Sequence, residues 1–387
     1  MSEHHKVVVL GGGYAGTLAA NRLRSRTDVD VTLVNPRPRF VERIRLHQYV
    51  ARTGDVTIDY GTLLGHGIDL VVDSATRIDA GARAVELASG ATLDYDYLIY
   101  AVGSRATTPV SEHAFDIAEY ETAERVRARL DDLPRDAPII VVGGGFTGIE
   151  TAAELAGRGR TVRLICGGSL APTLSTKGRR YVARWLAEHD VDVLEHQPVT
   201  KVRADQIALE NGIVQGSALT IWTAGFGVPQ LAAASGLRTD RAGRLLTDET
   251  LTSVDDDRIL AAGDAVAPSG QPLRMSTYAA GPLGAQAADT VLSRIAGTEP
   301  APLELRFSGA CISLGREAGI RQLARKDDTA VNLFIPGRLG ARVKEKTCRF
   351  VVDSRIRREA RNPGSMTWPK AGPRRVSVYD PERVVSG

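Results

Sequence analysis

One rhythm of apolar and polar positions runs along this chain twice. Lys6–Leu10 is a short Val/Leu run, Gly11–Gly16 reads GGGYAG, and Thr17–Leu23 has the apolar spacing and Ala content of a helix. A second apolar strand, Val29–Val34, follows. The same order returns as Pro138–Val142, then Gly143–Gly148 reading GGGFTG, then Ile149–Leu155, then Thr161–Ile165. Short continuous apolar runs bounded by glycines predict strands buried on both faces, as in parallel sheets with crossover helices. Each copy continues through shorter alternating segments broken at Ala80-Gly81 and Ser89-Gly90, or at Asn211-Gly212. Each ends in a strand and a small-residue turn, Tyr97–Gly103-Ser104 and Leu219–Gly225-Phe226. Self-similarity in this order over about a hundred residues predicts two units of one plan.

The glycine loops carry the first chemistry. In G-x-G-x-x-G, the first glycine turns the chain out of the strand. The second admits a pyrophosphate, and the third lets the helix pack closely. The phosphates then rest on a helix N-terminus, where free N–H groups and the dipole favour negative charge. Both loops here lie between an apolar strand and an Ala-rich helix, the context that the motif requires. The ribose-binding acid expected about 20 residues on is missing from both copies; Asn35 and Cys166 stand there instead. Asn35 can still accept a hydroxyl hydrogen bond. Nothing charged at Cys166-Gly167-Gly168 separates NADH from NADPH, and the downstream Lys177, Arg179 and Arg180 leave that choice open.

With 387 residues the chain should form two or three compact units. Only 5% of it is aromatic, which argues against a base-stacking nucleic-acid platform. The net charge of +3 is unevenly spread. From Arg338 onward there are 13 Lys/Arg and 5 Asp/Glu, so any electrostatic partner should be sought at that end. Cys166, Cys311 and Cys348 stand far apart, without the pairing of a redox relay or zinc knuckle, so no metal is expected. The polar start shows no signal-peptide apolar core. No 18 consecutive apolar residues occur, which excludes a spanning helix. The expected location is the cytoplasm, at most peripheral on the inner face of the cell membrane.

A further motif, Thr250–Asp264, reads as a turn, an apolar strand and Ala262-Gly263-Asp264. Together with both glycine loops, the Ala101-Val102-Gly103 and Thr223-Ala224-Gly225 turns and Trp222, it makes residues 6–325 resemble the two-dinucleotide flavoproteins (glutathione-reductase-like). Within these, the chain is most similar to type II NADH dehydrogenases. The resemblance implies an α/β fold with two Rossmann-like three-layer ββα domains and a C-terminal extension. The FAD domain would be discontinuous (1–112 and 228–302), with the NAD(P) domain (113–227) inserted and the extension spanning 303–387.

By the same resemblance, FAD would contact Gly11, Gly12, Gly13, Tyr14, Ala15, Gly16 and Asn35, then Arg43, Ala101, Val102, Gly103, Gly263 and Asp264. Asp264 would hold the ribityl chain. A helix starting near Ser276 would point at the flavin pyrimidine edge, lined by Thr277, Tyr278, Ala279 and Ala280. Reduction places negative charge there, which a helix N-terminus stabilises. NAD(P)H would contact Gly143, Gly145, Phe146, Thr147, Gly148, Cys166, Ala224 and Gly225. Glu150, which also complements its helix dipole, would approach the nicotinamide. Catalytic candidates are Glu150, His47 and Tyr278, with His47 and Arg43 in the flavin or acceptor pocket.

The cysteine pair of the disulfide reductases is absent, Gln48, Tyr49 and Val50 standing in that segment. Electrons should therefore pass directly to a diffusible acceptor, by resemblance a quinone. The chain is thus expected to be an FAD-dependent NAD(P)H oxidoreductase. Two alternatives are a soluble reductase for a ferredoxin or small molecule, and an apoptosis-inducing-factor-like flavin sensor with weak turnover. Leu305–Gly315 and Gly319–Ala324 read as a hairpin. Gly337–Val352 reads as a basic amphipathic helix, with Leu339, Val343, Phe350 and Val351 on a face able to lie on an anionic bilayer. From Asn362 the chain reads as loosely held. A homodimer is possible on the resemblance.

Overall fold

The computed structural model describes residues 4–106 and 112–372. The first three residues, the segment before the expected join at 112–113 and the end of the tail lie outside the described residues. Two five-stranded parallel sheets organise the rest. In the first, the strand order is Ile259–Ala261, Tyr97–Tyr100, His5–Leu10, Val29–Asn35, Ile68–Val72. In the second it is Ala114–Asp116, Leu219–Trp222, Ile139–Val142, Val162–Ile165, Asp192–Leu194. The first sheet thus takes an edge strand from sequence that follows the whole second sheet. The central runs Val7–Leu10 and Ile139–Val142 are buried throughout, as their unbroken apolar patterns require.

Each parallel sheet is accompanied by a small antiparallel one, Ala75–Asp79 with Ala84–Leu87 and Thr92–Asp94, and Val199–Val202 with Gln206–Leu209 and Val214–Gly216. The helices Tyr14–Leu23 and Thr277–Ile295 pack against one another. At their crossing Gly284 faces the Ala15 carbonyl so closely that no side chain would fit.

After residue 300 come three antiparallel strands, Gly309–Leu314, Ala318–Ala324 and Ala330–Pro336, the last not foreseen from the sequence. The helix Gly337–Arg349 crosses them, with Gly340 against the Gly319 carbonyl. Its inward stripe is Gly340, Lys344 and Cys348 at i, i+4, i+8; of the expected apolar face Leu339 and Phe350 stay exposed, Val343 is half-buried, and Val351 is buried in the core. A π-helical stretch, Phe350–Ile356, re-phases the chain before Arg357–Arg361. The expectation of a loose tail is corrected over its described part. The Gly364 and Met366 N–H groups donate to buried Glu359, Met366 is 4% exposed, and Trp368 Nε1 donates to the Glu304 carbonyl at 2.8 Å. Few apolar residues suffice there because they anchor on a carboxylate supplied by the helix. Among the described residues no helix is long and apolar enough to cross a membrane.

Candidate functional site

The two glycine loops are built alike. Gly11 and Gly143 have φ of +101° and +127°, which glycine alone adopts without strain, and each lies against the turn ending the neighbouring strand, at Ala101 and at Thr223. A side chain at Gly16 or Gly148 would strike the carbonyl of Gly11 or Gly143, so the helix could not sit against its strand. Gly13 and Gly145 differ. They cap the helices Tyr14–Leu23 and Phe146–Ala156 with ordinary φ of −75° and −79°, and an added methyl would meet no protein atom within 4 Å. Neither backbone strain nor protein packing demands glycine there. The open space above each helix N-terminus is a cradle that a side chain would fill, and it suits a pyrophosphate.

Beside the first loop lies a cleft of about 320 Å³, whose lining includes Gly11–Gly13, Asn35, Arg43, Asp73 and Ala101–Arg105. Asn35 is anchored by the protein: its Oδ1 accepts from Gly12 N (2.9 Å) and its Nδ2 donates to the Arg37 carbonyl (2.8 Å), with one lone pair and one N–H left over. Asp73, just past the adjoining strand, and Glu119, paired with Arg37, are carboxylates lining this cleft. Tyr14 turns its ring onto Phe40, 5.1 Å away, as a wall of the core. Asp264, in the turn after Ile259–Ala261, accepts from Ser104 Oγ at 2.8 Å. Ser104 in turn meets Arg43 Nη1 at 3.4 Å, and Arg43 Nε donates to the Ala118 carbonyl at 2.9 Å. Arg43, Ser104 and Asp264 therefore join three distant parts of the chain at one edge.

Arg43 also lines a second pocket of about 210 Å³, with His47, Phe146, Thr147, Glu150 and the segment Arg274–Tyr278. The helix Thr277–Ile295 opens here, its Ser276 Oγ accepting from Ala279 N at 3.3 Å. Tyr278 presents its ring, but its hydroxyl is already donated to the Arg306 carbonyl at 2.9 Å. In the wall lies a buried polar cluster. Glu150 Oε1 accepts from Ser313 N (2.9 Å) and Ser313 Oγ (3.2 Å), and pairs with Lys344 Nζ at 2.9 Å. His47 Nε2 is 3.3 Å from Ser313 Oγ and its Nδ1 3.7 Å from Glu150 Oε2. Burial pushes the Glu150 carboxyl up, but Lys344, then His47 and the Ser313 N–H, overcome this and hold it below the usual range. Burial alone would lower Lys344; Glu150 raises it above an ordinary lysine. Burial takes His47 down to about 4, against the pull of Glu150. The cluster is thus a charged Lys–Glu pair beside a neutral imidazole.

Lys344 and Ser313 were not singled out in the sequence, where Lys344 read as one of several exposed cations. A lysine at i+4 from Gly340, on the stripe that packs, was the available signal. Glu195 was missed as well. The end of Asp192–Leu194 brings it beside Cys166, where its Oε1 accepts from Leu170 N at 2.5 Å and faces Arg179 Nη2 at 3.5 Å. Cys166 is fully buried under Gly144, where burial takes its thiol up to about 12. Cys311 and Cys348 both line the second pocket; burial raises the Cys348 thiol in spite of Lys344 and Arg45, keeping it protonated. Ala224 and Gly225 (φ +80°) form the turn against Gly143.

Residues 5–284 match the family model described as pyridine nucleotide-disulphide oxidoreductase. An NADH dehydrogenase-like protein of Mycobacterium tuberculosis is 31% identical over 293 residues, 68% of this chain and 73% of that one. A type II NADH:quinone oxidoreductase of Staphylococcus haemolyticus is 28% identical over 381 residues, 84% of this chain and 92% of that one. Among solved structures, NDH2 from Plasmodium falciparum in complex with NADH superposes with a TM-score of 0.78 at 16% identity, covering 92% of this chain and 97% of that one.

Proposed function

The chain belongs to the pyridine nucleotide-disulphide oxidoreductase family, as an FAD-dependent NAD(P)H oxidoreductase, and on that footing we propose that its donor is NADH and its acceptor a quinone. The bound flavin supplies the chemistry of taking two electrons from the nicotinamide and handing them on. The protein's part is to seat the two nucleotides on the cradles at Gly13 and Gly145 and to converge their reactive ends on the pocket between Arg43, Phe146 and Tyr278. Asp264, held by Ser104, is read as the partner of the ribityl hydroxyls. The N-terminus of Thr277–Ile295 favours negative charge at that edge.

The observation that carries the quinone reading is the buried Lys344–Glu150–His47 cluster in the pocket wall. A quinone leaves as a quinol only if its oxygens gain protons, whereas an iron–sulfur protein or ferricyanide takes electrons alone. The Lys344 ammonium can hydrogen-bond an acceptor oxygen, and Glu150 with His47 can hold or move the proton replacing what is given up. The helix Leu46–Val50 offers no thiol as an intermediate carrier. Exposed Leu339 and Phe350 beside Arg338, Arg342 and Arg349 suit a peripheral contact with an anionic membrane, where a quinone would be met. For the donor, the Glu195 carboxylate at the adenosine end of the second loop disfavours the 2′-phosphate of NADPH.

Anaerobic titration of the purified yellow protein with NADH and with NADPH, followed by a menaquinone analogue, tests both parts. The reading expects bleaching of the flavin band by NADH at lower concentration than by NADPH, and its return when quinone is added. Bleaching that ferricyanide reverses and quinone does not would refute the acceptor.

A further inference from the structure

Resting on the quinone reading, we propose that the proton completing quinol formation enters from the groove on the far side of the helix Leu46–Val50 and is carried to Glu150 by Glu154. The balance of the reaction requires such an entry. NADH gives two electrons and one proton equivalent, a quinone takes two of each, and one proton per turnover must come from water.

The helix Phe146–Ala156 lines one cavity and is hydrogen-bonded to the wall of another. The pocket described above is lined by His47 and Glu150. The other, a groove of about 860 Å³, is lined by Gln48, Thr53, Arg45, Arg316 and Arg342 among other charged residues. His47 and Gln48, adjacent in sequence, thus face different cavities. Glu154, 1% exposed, lines neither cavity but is joined to the groove wall through Thr53 and Arg316. It stands four residues after Glu150 on the same helix, so the two carboxyl-bearing side chains share a face with Cβ atoms about 6 Å apart. One side-chain swing or one water spans that gap.

Glu154 is tied to the groove rather than to the pocket. Its Oε2 accepts from Thr53 Oγ1 at 2.9 Å, and Thr53 lines the groove. Its Oε1 has no hydrogen bond, although Arg316 Nε, from the hairpin turn, lies 3.4 Å away. A buried carboxylate oxygen left without a donor is costly, and a proton removes that cost. The charged groups that act on it are Arg316 from the hairpin, Glu150 from its own helix and Arg158 just beyond the helix; Thr53 faces it from the loop after Leu46–Val50. Burial raises its carboxyl above the usual range against Arg316, and Glu150 adds to the rise. Glu150, by contrast, is held ionised by Lys344. The proton therefore rests on Glu154, and its passage to the ionised Glu150 is uphill; its consumption at the acceptor draws the transfer in that direction. Glu154 touches neither donor nor acceptor and is a positioning residue.

The test uses the flavin-loaded full chain and compares wild type with Glu154→Gln and Glu154→Asp. Steady-state reduction of a soluble short-chain quinone and of ferricyanide is measured from pH 6 to pH 9, in H₂O and D₂O. The ratio of quinone to ferricyanide turnover is expected to fall about tenfold in E154Q, with a larger solvent isotope effect, and to recover within about twofold in E154D. Independently of turnover, an infrared pH titration of substrate-free protein should show a protonated-carboxyl band that E154Q lacks. A quinone-to-ferricyanide ratio unchanged in E154Q at every pH, or no such band in wild type, overturns the proposal and leaves the pocket mouth as the proton entry. Failure of the wild type itself to reduce quinone, with the band present, overturns the quinone reading that the relay serves.

Discussion

Substituting Lys344 by Met would leave the Glu150 charge without its partner. The ammonium lies 2.9 Å from Oε1, with the two side chains 12% and 7% exposed. Removing one member of a buried pair costs about 3–5 kcal/mol, because the remaining charge is stranded away from water. Glu150 can escape by taking up a proton, and each pH unit over which it must do so costs about 1.4 kcal/mol. In wild type the carboxyl is held below its ordinary range, so its stabilisation is present above the unfolded pKa and is lost only as pH falls through the folded one. In K344M burial acts unopposed except by the more distant His47 and the Ser313 N–H; the folded pKa moves above the unfolded one, and the penalty grows as pH rises between them. The expected loss is therefore about 3 kcal/mol at pH 8 and about 1 kcal/mol at pH 5, read by equilibrium urea unfolding. Adding Glu150→Gln should restore K344M to within about 1 kcal/mol of the E150Q single variant, since no buried charge then remains. A loss below about 1 kcal/mol at pH 8, or equal losses at both pH values, would refute the argument that Lys344 keeps Glu150 ionised inside the protein.

The two cradles should be separable. Gly13→Ala is expected to purify with depleted FAD and Gly145→Ala with FAD retained but the apparent KM for NADH raised about tenfold, both melting near wild type once flavin loading is matched, as absorbance and calorimetry will show. His47, taken down to about 4, is neutral in the fold. Its stabilisation is whole above pH 6.5 and lost as pH falls towards 4, about 3 kcal/mol in all, and His47→Phe should remove that part of the acid slope in urea midpoints. Glu195→Arg should shift the ratio of kcat/KM for NADPH over NADH upward by about tenfold, measured with ferricyanide as acceptor, if the carboxylate repels the 2′-phosphate. Leu339→Ser with Phe350→Ser should weaken sedimentation with anionic vesicles while leaving the flavin spectrum unchanged.

The repeated strand, glycine loop and helix were legible in the sequence because their causes are local. Val/Ile runs bury on both faces, and Gly11 and Gly143 meet a backbone conformation that other residues resist. Gly263-Asp264 and the start of the helix at Thr277 were legible for the same reason, since a turn and a Ser276 cap are written in adjacent residues. The pocket wall was not. Ser313 meets Glu150 across 163 positions, and Lys344 reaches the same carboxylate from a helix whose amphipathic pattern pointed its cations outward. Leu339 and Phe350 are left at the surface because Gly340 allows the approach to Gly319 that turns Lys344 inward. Similarly, Glu195 stands beside Cys166 only because two strands distant in sequence pair in parallel. Periodicity tells which face of an element is apolar. Which neighbour covers that face, and which buried charge finds a partner of opposite sign there, depends on elements brought together from far apart in the chain, and that was decided by the tertiary structure.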